Sequence, residues 1–356
     1  MSGGIKVATI YAKALVNKGH EVVLISPPPK QMSVRTKIKS YLLGKGWPPS
    51  TPNLQSHLDN SGLDHRVINR WRPITNRDVP DADIVIATWW ETAEWVSMLG
   101  PEKGAKAYFV QGHEVFSHLP IDRVKATYRM PFHRIVVSKW LKTIMEREYG
   151  DLSTDLVPNS IDHQQFYAPI RGKQIDPTVG FLYSRSSSKG VEVSLKIIRL
   201  IRDKFPTLRV ISFGAVPLDR DNGWDQRIEF EHSPAQNRIR ELYAQCDVWI
   251  SSSRSEGFNL TAMEAMACRT PVVSTRTGWP EEAIKTHENG VLVEVDDAEG
   301  LATGAMWALS LSDAMWRTVS QNAFSTTSAS SWETSANLFE QSLMHCRART
   351  LRGELH

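Results

Sequence analysis

Short apolar runs that alternate with helical patterns are the feature that most limits the folds open to this chain. Such runs occupy residues 83–88, 106–111, 134–138, 179–183, 208–213 and 248–251. Apolar runs of this length, bounded by polar segments, are typical of strands that are buried on both faces of a parallel sheet. Amphipathic patterns such as residues 139–149 and 191–204 separate them. The alternation therefore predicts a doubly wound α/β architecture.

The length of the chain predicts two domains. Its 356 residues, 41% of them hydrophobic, exceed what one core usually serves. A polar stretch with Pro169 and Gly172 separates two alternating halves. We predict Rossmann-like domains over residues 1–170 and 171–330 and a helical tail over 331–356. A Rossmann half normally opens with a strand, and none precedes Gly3, so the first strand is missing and we expect the natural start to lie upstream.

Charge and cysteine content exclude several classes of protein. A formal net charge of +3 is too small for a dedicated nucleic-acid binder. Three widely spaced cysteines, Cys246, Cys268 and Cys346, form neither a zinc motif nor a disulfide framework. Without a secretory signal or an apolar run of about 20 residues, the sequence predicts a cytoplasmic protein.

Residues 30–46 contain five basic residues and no acidic one, interleaved with apolar residues. This pattern has two interpretations, an amphipathic helix lying on an anionic membrane or a basic surface helix. The first would place the protein peripherally at the inner face of the membrane.

One segment concentrates the residues that bear chemistry. A buried strand ends at Ser251, a loop holds Glu256 and Gly257, and a helix is predicted from Thr261. Backbone amides at a helix start form an anion site. However, Thr261 as N-cap with Glu264 three residues later is also a capping box. The spacing alone leaves both interpretations open, a ligand-binding Glu264 and a Glu264 that only caps the helix.

Five segments in order resemble the retaining family-4 glycosyltransferases (glycosyl transferases group 1). They are Gly3-Gly4 with residues 18–22, residues 157–162, Glu256 with Glu264 eight positions later, residues 277–281, and Asn289-Gly290. The resemblance implies the GT-B fold, in which two Rossmann-like domains face across a cleft and the C-terminal helix returns to the N-terminal domain. It makes residues 1–170 the acceptor-side domain and residues 171–330 the nucleotide-sugar-binding domain.

The same resemblance implies roles for individual residues. Arg185 and Lys189, after a strand and before a helix, would hold the donor diphosphate, and Glu256 would bind the hydroxyls of the transferred sugar. Glu264 would bind the ribose of the nucleotide. His113 would lie near the reacting sugar, with Glu114 as its rival. The remaining donor-binding positions would be Gly3, Gly4, Gly257, Phe258, Asn259 and Leu260.

The chain departs from the family pattern at four places, of which the missing first strand is the largest. Arg269 and Ser160 stand where the family commonly has Gly, and the spacing from Arg185 to Lys189 is one residue shorter than usual, which leaves the phosphate partner of each cation open. The pairs Asp81-x-Asp83 and Asp219-x-Asp221 imitate the metal motif of the other glycosyltransferase fold. Their positions in the chain favour chance, so we predict no metal.

The implied function is transfer of a sugar from a nucleotide-diphosphate-sugar to a glycan or lipid-linked acceptor. We expect a hexosyltransferase-type enzyme that acts with retention by front-face substitution. It would need no cofactor beyond the nucleotide-sugar co-substrate and would act in cell-surface polysaccharide or glycoconjugate synthesis. The oligomeric state stays open.

Several finer points remain open at the level of sequence. Trp89 and Trp90 either stack on sugar or pack internally. Residues 108–111 and the Gly-Gly-Ile-Lys opening resemble rhamnosyltransferase-like members, which indicates a deoxythymidine-diphosphate rhamnose donor. The alternatives are a sugar-nucleotide epimerase of the same fold and a non-catalytic sugar-nucleotide-binding subunit.

Overall fold

A computed structural model of the chain describes residues 3–29, 57–59, 61–219 and 224–355. The basic segment 30–46 and Asp221 therefore lie outside the described residues. Among the helices of the described ranges, none is both long enough and apolar enough to cross a membrane.

Helices and strands alternate along the described chain. The strands are β1 (Val23–Ser26), β2 (Asp64–Val67), β3 (Ile84–Ala87), β4 (Ala105–Val110), β5 (His133–Val136), β6 (Asp155–Leu156), β7 (Thr178–Leu182), β8 (Arg209–Gly214), β9 (Ile228–His232), β10 (Val248–Ser251), β11 (Val272–Thr275) and β12 (Gly290–Val293). The α-helices are α1 (Gly3–Asn17), α2 (Trp90–Ser97), α3 (Ile121–Thr127), α4 (Lys139–Tyr149), α5 (Val191–Lys204), α6 (Gln236–Ala244), α7 (Leu260–Ala267), α8 (Pro280–Ala283), α9 (Ala298–Ser310), α10 (Asp313–Ser328) and α11 (Trp332–Leu351).

The chain forms two compact units. The first comprises residues Met1–Phe109, Asp122–Ile135 and Ala336–His356, and the second comprises Val110–Ile121 and Val136–Ser335. The first unit contains β1 and β2 as a parallel pair. It also contains β3, which pairs in parallel with β4.

The C-terminal helix α11 packs into the first unit, as the sequence predicted. Phe339 of α11 stacks on Tyr11 of α1 with ring centroids 4.5 Å apart, and it meets Phe109 of β4 edge-on at 5.1 Å. Glu340 accepts hydrogen bonds from Lys18 at 2.8 Å and shares one with His20 at 2.7 Å. Aromatic burial supplies most of this contact, since ion pairs at the surface contribute little.

The second unit is built on a six-stranded parallel sheet. The strand order is β12-β11-β10-β7-β8-β9, and every neighbouring pair is parallel. Starting at β7, the chain moves outward through β8 and β9 and then crosses to the other side of β7 at β10. The order therefore reverses between β7 and β10, and the carboxyl ends of strands at such a point are where doubly wound sheets bind ligands.

Successive residues of the central strand β10 pack into opposite faces of this sheet. Val248 and Ile250 belong to a core cluster with residues of α5 and α9, such as Ile197 and Leu301. Trp249 between them meets the ring of Tyr243 from α6, with centroids 4.7 Å apart. Burial on both faces explains why this strand is an apolar run without polar alternation.

The predicted elements of the second half are present with small shifts, and α5 and β10 have the predicted bounds. Helix α10 was not predicted, because Ser, Thr and Asn, which favour helices weakly, occupy much of it. Its buried residues Trp316, Val319 and Ala323 nevertheless recur at helical spacing, and Ser312 caps it by accepting from the Met315 amide. Strand β2 was also missed, since Asp-His-Arg-Val shows one apolar residue.

Candidate functional site

The candidate site lies in the second unit, at the carboxyl ends of β7 and β10. After β7 the chain forms a 3₁₀ turn at Ser187–Lys189 and enters α5 through Gly190. Gly190 adopts φ = 60°, and a Cβ added there would lie 2.2 Å from the carbonyl oxygen of Ser252. Only glycine fits so close to the segment after β10. The turn that carries Lys189 is therefore held against the loop that carries Glu256.

Lys189 and Glu256 form the centre of the site. The Lys189 ammonium donates to Glu256 Oε1 at 2.6 Å, and the Ser253 hydroxyl donates to the same oxygen at 2.7 Å. Glu256 is 9% exposed, whereas the Lys189 side chain is 30% exposed. Within the described residues, Oε2 of Glu256 accepts no further hydrogen bond. The pair lines a small depression that also includes Thr261 and Ser251 and is partly open to solvent.

Asn259, not Thr261, caps helix α7, which excludes the interpretation of Thr261 and Glu264 as a capping box. Asn259 has φ = 75°, and its side-chain oxygen accepts from the Ala262 amide. Its amide group donates to Ser251 Oγ at 2.8 Å. Thr261 lies inside the helix and donates to Asn259 instead. The helix begins at Leu260, one residue earlier than predicted, so Glu264 lies in its second turn, where it cannot cap the helix start.

Glu264 instead faces α6 and is 8% exposed. The Tyr243 hydroxyl donates to Glu264 Oε2 at 2.9 Å. Burial, reinforced by this carboxylate, raises the pKa of Tyr243 well above its ordinary value, so the phenol keeps its proton and donates. Tyr243 therefore fixes one oxygen of Glu264.

Gly257 is held between two other segments of the second unit. Its carbonyl oxygen accepts from the Ser138 hydroxyl at 2.6 Å. A Cβ at Gly257 would lie 1.7 Å from the carbonyl oxygen of Gln111 and 3.1 Å from Cα of Gly112. The loop that follows β4 and leads to His113 thus packs directly on the residue after Glu256.

His113 is held by helix α4. Its Nε2 shares a hydrogen bond with the Tyr149 hydroxyl at 2.7 Å and lies 3.9 Å from a carboxylate oxygen of Glu148. The rival residue Glu114 is 4% exposed. His113 is less buried than Glu114, since its side chain is 15% exposed.

The structure does not bring the second predicted cation to Glu256. Arg185 is exposed, and its guanidinium donates to the carbonyl oxygen of Pro217 at 3.1 Å. Gly3 and Gly4 begin α1 in the first unit. Of the remaining positions for which donor binding is predicted, Phe258 stacks on Trp279 with centroids 5.9 Å apart, and Leu260 is the first residue of α7.

The two acidic pairs have other contacts. In the first unit, Asp81 accepts from the Lys103 ammonium at 2.7 Å, and Asp83 lies 3.1 Å from the Arg347 guanidinium. In the second unit, the Asp219 amide donates to the Tyr183 hydroxyl. The metal-free character of the site stays a prediction.

Sequence reasoning missed Ser253, Ser138 and Tyr149, which contact Glu256, Gly257 and His113. Only Ser253 had a local signal, because it lies three residues before Glu256 in the same loop. Ser138 and Tyr149 come from a distant helix and its N-cap, and no spacing rule connects them to the residues that they contact.

The chain is similar to known glycosyltransferases over part of its length. Residues 176–310 match the family described as glycosyl transferases group 1. A D-inositol 3-phosphate glycosyltransferase of Corynebacterium jeikeium is 28% identical over 200 residues, which are 52% of this chain and 46% of that protein. The matched segments span less than half the length of the curated relatives.

Solved structures share the fold over nearly the whole chain. Sucrose-phosphate synthase from Thermosynechococcus elongatus matches with a TM-score of 0.71 at 18% identity, over 95% of this chain and 92% of that one. HepE of Anabaena, solved in complex with UDP-glucose, matches with a TM-score of 0.66 at 16% identity, over 99% and 97%. The predicted GT-B fold class is confirmed. The second unit is therefore similar in sequence to the group 1 glycosyltransferases that the motifs resemble, and the fold of the chain is the one that the solved structures share.

Proposed function

We propose that this protein transfers a sugar from a nucleotide-diphosphate-sugar to a glycan or lipid-linked acceptor. The observation that carries the proposal is the Lys189–Glu256 pair, joined at 2.6 Å where the strand order of the second unit reverses. A cation suited to phosphate and a carboxylate suited to sugar hydroxyls stand next to each other there. In such a donor the diphosphate and the sugar are bonded to each other, so the groups that bind them are expected to be neighbours.

Lys189 would bind the donor diphosphate together with the first amides of α5. Gly190 is the N-cap of α5 and offers no side chain to those amides, so they are suited to an anion. Negative charge grows on the diphosphate as the glycosidic bond breaks, and a fixed cation beside it lowers the barrier. Arg185 would join after its exposed side chain turns away from Pro217.

Glu256 would orient the transferred sugar, not attack it. One of its oxygens already accepts from Lys189 and Ser253, which stabilises the carboxylate and weakens it as a nucleophile. Its second oxygen is left to accept from a sugar hydroxyl. Glu264, with one oxygen fixed by Tyr243, would accept from the ribose hydroxyls.

A front-face substitution with retention fits these roles. The departing phosphate helps to take the proton of the acceptor hydroxyl, and the attack occurs on the face that the phosphate leaves. Lys189 supplies the positive charge that a metal provides in other sugar transferases, so we propose a metal-independent reaction. His113 would stand near the reacting sugar, with its Nε2 engaged by Tyr149.

The acceptor is proposed to be part of a cell-surface polysaccharide or glycoconjugate. Trp89, two residues after β3, is 36% exposed, while Trp90 beside it is buried. An exposed indole at the end of a strand is suited to stacking on a pyranose ring. Peripheral contact of residues 30–46 with an anionic membrane stays a prediction about residues outside those described.

A donor screen tests the proposal. Thermal shift and donor hydrolysis are measured with UDP-glucose, UDP-N-acetylglucosamine, GDP-mannose and deoxythymidine-diphosphate rhamnose, with and without EDTA. We expect one donor to stabilise the protein regardless of EDTA, and Glu264→Ala to abolish that shift. Glu299→Ala, a change at an exposed glutamate of α9, is the matched control and should leave it intact.

Product analysis separates transfer from the competing activities. We expect turnover to need an added acceptor and the new linkage to keep the anomeric configuration of the donor, as read by proton NMR. Turnover of the donor to an epimer without acceptor would contradict transfer. An absence of response to every donor and nucleoside diphosphate from folded protein would contradict the site itself.

A further inference from the structure

Arg254 connects three segments around the candidate site. It lies two residues before Glu256 in the loop after β10. Its Nη1 donates to the Ser187 carbonyl oxygen at 3.0 Å and to the Glu192 carboxylate. Its Nε donates to Asp296 Oδ1 at 2.7 Å. The backbone amide of Arg254 also donates to the Ser188 carbonyl oxygen at 2.7 Å.

These contacts converge on the turn that presents Lys189. Ser187 and Ser188 belong to the same 3₁₀ turn as Lys189, and Glu192 lies in the first turn of α5. Asp296 lies in the connection between β12 and α9. The guanidinium therefore connects the residues before and after Lys189 in the chain, Ser187 and Glu192, to the loop that carries Glu256.

We propose that Arg254 is a positioning residue, which holds the Ser187–Lys189 turn so that the Lys189 ammonium meets the diphosphate of the donor. This inference rests on the proposed function, because it assigns Arg254 an effect on the binding step of that same site. The Arg254 side chain is already engaged by two carboxylates and one carbonyl oxygen. It therefore acts on the diphosphate through Lys189 and not by contact.

The effect of Arg254 on diphosphate binding can be separated from any effect on the stability of the fold. Arg254 is 33% exposed, and its carboxylate partners Glu192 and Asp296 are 61% and 54% exposed. Ion pairs this exposed contribute little to the free energy of unfolding. The Ser187–Lys189 turn has two backbone hydrogen bonds of its own, from the Lys189 and Gly190 amides, so its position also depends on the contacts that Arg254 makes with it. A shift of about 1 Å in a binding group costs up to about 100-fold in rate.

A double-mutant cycle on diphosphate binding tests the proposal. Calorimetric titration with pyrophosphate, which lacks a base, and with UDP measures the dissociation constants of wild type, Arg254→Ala, Lys189→Ala and the double variant. We expect Arg254→Ala to raise the dissociation constant about tenfold, the size of one charge-assisted hydrogen bond. In the Lys189→Ala background the same change should have little effect, because its target is gone.

Two further variants distinguish positioning from folding. Arg209→Ala is the matched control, since Arg209 is 35% exposed and pairs with Glu229. It lies at the amino end of β8, whereas the candidate site lies at the carboxyl ends of the strands. It should lower the melting temperature by as much as Arg254→Ala and leave both dissociation constants unchanged. Arg254→Lys keeps the charge but not the planar fork, and should restore part of the affinity.

The outcomes separate failure of this inference from failure of the proposed function. If Lys189→Ala weakens binding and Arg254→Ala does not, the inference is wrong and the site stands. If Arg254→Ala weakens binding equally in both backgrounds, Arg254 contacts the diphosphate itself and the positioning role is wrong. If wild type binds neither pyrophosphate nor UDP, both the inference and the diphosphate site are overturned.

Discussion

Gly257 offers the sharpest single test of how the site is assembled. In Gly257→Ala, the new methyl group would lie 1.7 Å from the Gln111 carbonyl oxygen and 2.6 Å from the carbonyl carbon of the same residue. Side-chain Cβ atoms essentially never approach another heavy atom within 3.0 Å. The neighbours are backbone atoms, so no side-chain rotation can relieve the overlap. One of the two loops must move by more than 1 Å.

The consequences follow from what each loop carries. Movement of the Gly257 loop displaces Glu256 and strains the hydrogen bond from Ser138. Movement of the other loop displaces the segment leading to His113. We expect a loss of about 1–3 kcal/mol in the free energy of unfolding, typical of an overpacked core. We expect sugar transfer to fall about 100-fold, as a displacement of about 1 Å in a site group implies.

Urea unfolding and steady-state turnover measure the two effects. Gly112→Ala is the matched control for stability, because a Cβ there meets no atom within 4 Å and the backbone needs no left-handed conformation. It should unfold like wild type. A Gly257→Ala protein with the stability and turnover of wild type would refute the packing of these two loops.

Three further predictions concern the backbone and charges of the second unit. Asn259→Ala should lower the free energy of unfolding by about 1–3 kcal/mol, because it removes the cap and leaves Ala in a left-handed conformation. Asn259→Gly should lower it by only about a few tenths of a kcal/mol, and equal losses for the two variants in urea unfolding would contradict this. Arg269 has φ = 62°, so Arg269→Gly should be about 1 kcal/mol more stable than Arg269→Ala by the same assay, and the reverse order would contradict backbone strain. Hydrogen bonding from Arg227 lowers the pKa of Asp225 to about 2, so its carboxylate stabilises the fold above its unfolded pKa near 4, and this contribution is lost as the pH falls towards 2. Asp225→Asn should flatten the decline in stability measured between pH 4 and pH 2, and an unchanged slope would contradict the assignment.

The architecture of the second unit was predictable because its four central strands, β11, β10, β7 and β8, are buried on both faces. Burial of that kind leaves a run of apolar residues whatever the surrounding sequence. Helix α10 was not predictable in this way, since its many polar residues surround a narrow apolar stripe of Trp316, Val319 and Ala323. Its helical state depends on that buried stripe and on the Ser312 cap.

The site residues that follow strands of the sheet were predictable from the order of elements in the chain. Residues that reach the site through contacts between distant segments were less so. The turn with Lys189 and the loop with Glu256 each follow a strand of one sheet, so topology brings them together. The cap of α7 was misassigned, because Thr261 with Glu264 three residues later fits the capping-box spacing, whereas the chain uses Asn259 in a left-handed conformation. The long-range partners Ser138 and Tyr149 leave no trace in local sequence.

A crystal structure with a bound nucleoside diphosphate tests the central claim most directly. The ligand is the one that gives the largest thermal shift in the donor screen. We predict its phosphate oxygens within about 3 Å of Lys189 Nζ and the first amides of α5, and its ribose hydroxyls on Glu264. A diphosphate bound away from Lys189, with the Lys189–Glu256 pair undisturbed and not contacted, would contradict the assignment of this site.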